Sequence, residues 1–111
     1  MSDKKFKLQK SQIVALVTSL GSCMATDKIT VDGESIGYMY REDPEFEFDS
    51  GWRFFAGNES QEYVDNSNNI MIYEINTIAN YDRAIIPYLH MPTGTELIRN
   101  GADFVLGDYL P

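Results

Sequence analysis

An α+β domain with a mainly antiparallel sheet and two short helical regions is the fold class this sequence predicts. Three observations carry that expectation. Apolar runs rich in β-branched and aromatic residues recur along the chain, and two turn dipeptides, Asp32-Gly33 and Asn100-Gly101, sit between such runs. Helical signals are confined to two short stretches, near residues 59–65 and 76–86, and they do not alternate strictly with the strands. A chain of 111 residues with 43% hydrophobic and 13% aromatic content can bury one core without disulfides or a structural metal. The expected organisation is a flexible basic lead over residues 1–10 and a single domain over residues 11–111.

After the polar lead, residues 13–17 are apolar without a break and read as a strand covered on both faces, with a helix as the competing reading. Leu20-Gly21-Ser22 interrupts the run. Residues 29–31 begin a new strand signal. Asp32-Gly33 suits a type I′ turn and predicts a hairpin into residues 35–40, where Tyr38 and Tyr40 share a face with Ile36. Residues 42–49 are charged and contain Pro44, so they predict a loop or an edge strand. If extended, this segment points Glu45, Glu47 and Asp49 to water and Phe46 and Phe48 the other way.

The stretch Asp49-Ser50-Gly51-Trp52-Arg53-Phe54-Phe55-Ala56-Gly57 holds the one tryptophan and predicts an inner strand. Trp52 and Phe54 lie on one face, Arg53 and Phe55 on the other, and both faces need cover. Asn58 with Gln61 three residues on predicts a capping box opening a short helix to residue 65. Residues 66–69 form a turn and residues 70–75 another strand. Asn76 caps a helical piece, and Pro87 limits a second piece that starts at Asp82. Residues 95–99 and 102–106 flank Asn100-Gly101 as the last hairpin.

The formal net charge of -8 is unevenly spread: four lysines fall in the first ten residues, whereas Glu42 to Asp82 contains ten acids and one base, Arg53. A nucleic-acid partner is excluded on these grounds, because affinity for phosphates depends on clustered cations. A basic protein surface is the natural complement. The single cysteine, Cys23, closes no internal disulfide and predicts a reducing compartment; the charged opening lacks the apolar run of a signal peptide, and no stretch reaches membrane-spanning length. A cytoplasmic location without membrane contact is expected.

Catalytic chemistry has little to stand on. His90 is the one histidine and has no serine or cysteine in a nucleophile context, and one Cys with one His cannot close a zinc site. The acids at Asp43, Glu45, Glu47 and Asp49 lack the glycine and terminal glutamate of a calcium loop, and the glycines are scattered through separate turns. No cofactor, no metal and no enzymatic activity are expected. The tyrosines lying among the acids suit a protein interface better than a reaction centre. A second reading makes Arg53 the anion-binding group of a small-ligand pocket walled by Trp52, Phe54 and Tyr38.

Three runs together carry a family resemblance. Gly37-Tyr38-Met39-Tyr40-Arg41-Glu42, then Asp49 to Gly57, then Asn76-Thr77-Ile78-Ala79-Asn80-Tyr81-Asp82 followed by Ile85-Ile86-Pro87, resemble the successive motifs of the bacterial immunity protein 33 family. The resemblance spans about residues 29–99; Asn58 and Arg83 depart from the family pattern, which often has an acid and a proline there. It implies a cytoplasmic antidote that binds and blocks the toxin domain of a polymorphic toxin system. The expected partner is thus a cognate toxin domain, basic, with a nuclease as the expected class. It meets an acidic surface at Glu45, Glu47, Asp49, Glu59 and Glu62, with Arg53 and Tyr81 near its edge. The chain itself is expected as a monomer or weak homodimer.

Overall fold

The computed structural model describes residues 4–107; residues 1–3 and 108–111, included in the expected lead and domain, lie outside the described residues. Among the described residues six strands form one sheet: β1 (Ser22–Thr26), β2 (Tyr38–Arg41), β3 (Asp49–Phe55), β4 (Ile70–Glu74), β5 (Glu96–Asn100) and β6 (Asp103–Leu106), in the order β4-β1-β3-β2-β5-β6. The β1 and β3 pair is parallel and the other four are antiparallel, so the α+β expectation holds. The helices are short: α1 (Asp27–Thr30), α2 (Gln61–Asp65) and α3 (Ile75–Tyr81), with 3-10 turns at Lys10–Gln12, Ser67–Asn69 and Arg83–Tyr88.

The tryptophan strand is interior, as expected. Trp52 and Phe54 are fully buried and stack at 6.0 Å, packing with Cys23 and Ala25 of β1, Met39 of β2 and Leu97 of β5. Ile29 of α1, Ile75 and Ile78 of α3, and Ile85 and Leu89 close this core from one side of the sheet. The indole N–H donates to the Leu89 carbonyl at 3.0 Å, and the Arg41 guanidinium lies 5.8 Å from the ring centroid. The polar tip of a buried tryptophan thus has its partner, and the core side is sealed.

Two expected strands are absent. Residues 13–17 cross α3 outside the sheet: Asn76 Oδ1 accepts the Leu16 and Val17 N–H groups at 2.7 and 3.0 Å, and Asn80 Oδ1 accepts that of Val14 at 3.0 Å. Side-chain amides satisfy the backbone there, so the run needs no strand neighbour. Its place in the sheet is taken by β1, whose core residues Cys23 and Ala25 are small and give a weak strand signal. Residues 29–31 likewise are not a strand, because Ile29 and Thr30 end α1. Gly33, at φ 77°, donates its N–H to the Ile29 carbonyl at 3.1 Å. The Asp32-Gly33 pair therefore terminates a helix; both uses require the same left-handed glycine, which is why the hairpin expectation fails.

The later elements follow the sequence closely. The hairpin at Asn100-Gly101 pairs Asn100 with Asp103, and Asp82 caps the Arg83–Tyr88 turn by accepting the Ala84 N–H at 3.1 Å. The cap of α2 is Ser60, which accepts the Tyr63 N–H at 3.1 Å, a correction to the expected Asn58 box; Asn76 likewise does not cap α3, whose cap position is Glu74, and Pro87 lies inside the Arg83–Tyr88 turn instead of limiting it. Residues 4–10, expected as a flexible lead, are laid along the fold: Lys4 pairs with Asp27 at 2.8 Å, Lys7 N–H donates to the Thr30 carbonyl, and Leu8 N–H donates to the Tyr81 hydroxyl.

Candidate functional site

Strand alternation turns Arg53 and Phe55 away from α1 and α3, and register brings Tyr40 opposite Arg53 and Tyr38 opposite Phe55 on that same face. The three rings pack together: Tyr40 stacks on Phe55 at 5.8 Å and Tyr38 lies 5.7 Å from Phe55. All three are half-buried. The Tyr38 hydroxyl donates to Glu96, and burial together with that carboxylate pushes the phenol well above its usual pKa. Beside the rings runs an open groove of 520 Å³ lined by Tyr38, Tyr40, Glu42, Asp43 and Glu96 among others.

Arg53 organises the border of this face. Its Nε donates to Glu42 at 2.6 Å; Nη1 donates to Asp49 Oδ1 at 2.9 Å and to the Trp52 carbonyl at 3.0 Å; Nη2 donates to Asp49 Oδ2 at 2.8 Å and lies 3.5 Å from Glu45. Asp49 also accepts the backbone N–H groups of Glu45 and Gly51, both at 2.8 Å. Burial alone would raise the Asp49 carboxyl, but these bonds outweigh it and hold the pKa down to about 2. Burial likewise opposes the Arg53 charge, and its bonds to Asp49 and Glu42 more than reverse that, raising its pKa.

This arrangement corrects the anion-pocket reading. Each guanidinium N–H already faces a protein oxygen, and three carboxylates around one cation make the neighbourhood negative. The cavity against Arg53 is only 100 Å³, with Met24, Tyr40, Phe55, Val64 and Ile70 in its wall. Such a site repels an anion and has no room for a ligand of ordinary size.

The seven expected site residues divide by what they touch. Glu45, Glu47 and Glu62 are exposed. Asp49 and Arg53 are buried, at 7% and 2% exposure, and so present no surface. Glu59 is half-buried, with its carboxylate accepting from Thr26 Oγ1 at 2.6 Å and from the Ala56 and Gly57 N–H groups at 2.8 Å; burial works against that charge, but these bonds prevail and its pKa falls. Tyr81 is half-buried and accepts the Leu8 N–H at 3.3 Å. Phe48, expected to point inward, stands 77% exposed, because the backbone turns at φ 65° to bring Asp49 onto Arg53.

The site therefore includes residues that the sequence did not single out. The stack of Tyr38, Tyr40 and Phe55 was foreshadowed by period-two spacing, but cross-strand register was needed to unite it. Val64 of α2 and Glu42 line the same cavity over Arg53, so α2 and the acidic loop at residues 42–48 border one sheet face. The Cys23 thiol is fully buried, and burial raises its pKa, which disfavours the thiolate. Among the described residues no group of three or more His, Cys, Asp and Glu side chains is gathered as a metal site, and no helix is long and apolar enough to cross a membrane.

No curated protein and no solved structure matches the chain. A family model does match, the immunity protein Imm33 domain, over residues 23–105. That match takes in the sheet from β1 to β6, the aromatic face and the Arg53 cluster. The chain accordingly belongs to the Imm33 family of immunity proteins.

Proposed function

We propose that this immunity protein is a non-enzymatic inhibitor that binds a cognate toxin domain and covers its working surface. The toxin is a basic protein, with a nuclease the class whose phosphate-binding surface carries such charge. The docking surface is the acidic loop with the tyrosine groove beside it. Glu45, Glu47 and Glu62 supply exposed charge, while Asp49, Arg53 and Glu59 hold the backbone that presents it and Tyr81 fastens the N-terminal segment at Leu8.

The observation that carries this reading is the groove of Tyr38 and Tyr40 bordered by Glu42, Asp43 and Glu96. A lysine or arginine entering it meets an aromatic face and a carboxylate together, and that pairing suits a cationic protein surface. The buried, free Cys23 accords with work in a reducing cytoplasm, where the toxin would act.

Co-expression with the toxin domain encoded beside its gene tests the proposal. Cells carrying both are expected to grow, and the two proteins to co-purify as a complex. Death of the co-expressing cells, with no complex recovered, would contradict it.

A further inference from the structure

Phe48 is the most exposed of the large hydrophobic side chains among the described residues, at 77%. It is also one of two non-glycine residues there held at left-handed φ, at 65°; the other is Ser19, at 58°. Both line one cleft of 710 Å³, together with Val17 and the exposed Leu20 and Glu74. The two sides of the cleft are tied by the Ser22 N–H, which donates to the Phe48 carbonyl at 2.8 Å.

The turn itself has a structural cause. Asp49 must face Arg53, and the reversal that sends it inward sends side chain 48 outward. Nothing in that turn asks for a ring. Glycine or asparagine occupies left-handed backbone with less strain, and a polar side chain would sit in water at less cost. The phenylalanine serves neither the local backbone nor the core.

We propose that Phe48 is the apolar anchor of the partner interface. Its ring enters a pocket on a basic toxin domain, and cations rimming that pocket meet Glu45 and Glu47 beside it. The inference rests on the docking reading above and narrows it to one side chain. Charge selects the partner: exposed Asp43, Glu45 and Glu47 belong to the same loop as the ring, and exposed Glu74 lines the same cleft. The basic side chain lining the cleft, Arg41, is committed to the Ser50 and Met91 carbonyls. A ring carried on so acidic a loop is a poor match for another acidic protein, a second copy of this chain included, and a good one for a cationic pocket.

Binding of the purified toxin domain to the full chain, measured by surface-immobilised kinetics beside thermal melts, tests the anchor. Phe48→Gly is expected to melt at or above the temperature of the parent protein, because glycine accepts φ 65° without strain. Both Phe48→Gly and Phe48→Ala are expected to weaken the complex about 30-fold or more, mainly through faster dissociation. Val105→Ala, at an exposed site on β6, is expected to change affinity by less than about threefold. If the parent binds and both Phe48 variants bind as tightly, the anchor is overturned while the acidic docking reading stands. If the parent does not bind the toxin domain, both fall.

Discussion

Asp49 shows how much one carboxylate can fix. It holds the N–H groups of Glu45 in the loop and Gly51 in β3, and two nitrogens of Arg53, so loop, strand and cation are positioned together. Its pKa is about 2 in the folded chain, below the unfolded value, so the stabilisation is fully present above about pH 4 and is lost as pH falls toward 2. A shift of this size corresponds to about 2 kcal/mol, and Glu59, also lowered, adds in the same direction. Urea midpoints measured from pH 5 down to about 2 are expected to fall steeply, and less steeply in Asp49→Asn. Asp49→Ala leaves a buried guanidinium short of its main partner, and a loss of about 3 kcal/mol is expected in chemical denaturation at neutral pH. That Arg53 sits on an inner strand close to many acids was legible in the sequence. Its pairing with Asp49 was not, because simple alternation placed Asp49 in water and the left-handed turn at Phe48 reverses it.

At the scale of elements, the hairpin at Asn100-Gly101, the inner tryptophan strand and the two-part helical region were all legible, because turn chemistry and periodicity agree there. The N-terminal third was not. Whether an apolar run joins a sheet depends on what else satisfies its backbone, and here Asn76 and Asn80, some sixty residues away, do so. Asn76→Ala removes the acceptor of the Leu16 and Val17 N–H groups. Faster hydrogen exchange at those two amides, with β3 unchanged, is the expected result. Gly51 is the other fixed point: at φ 92°, an added Cβ would lie 2.0 Å from the Glu42 carbonyl oxygen. Gly51→Ala is therefore expected to lower stability by well over about 1 kcal/mol in urea unfolding. The β2 and β3 pairing that aligns Tyr40 with Arg53 is expected to loosen with it.

Taken whole, the described residues have one sheet face sealed by α1 and α3 and an opposite face where aromatic rings lie beside an acidic border. The negative balance predicted from the sequence survives folding only in part, since Asp49 and Glu42 are spent on Arg53 while Glu45, Glu47 and Glu62 keep their exposure. Exposed like charges of this kind do little for the fold; they act on encounter with an oppositely charged partner, and salt screens them. The decisive measurement is the association rate of the toxin domain as ionic strength is raised, for the parent and for Glu45→Gln, Glu47→Gln and Glu62→Gln combined. The parent's rate is expected to fall roughly tenfold or more from low to high salt, and the triple variant to start slower and change less. A rate that ignores salt and is the same in both proteins would contradict an acidic docking surface.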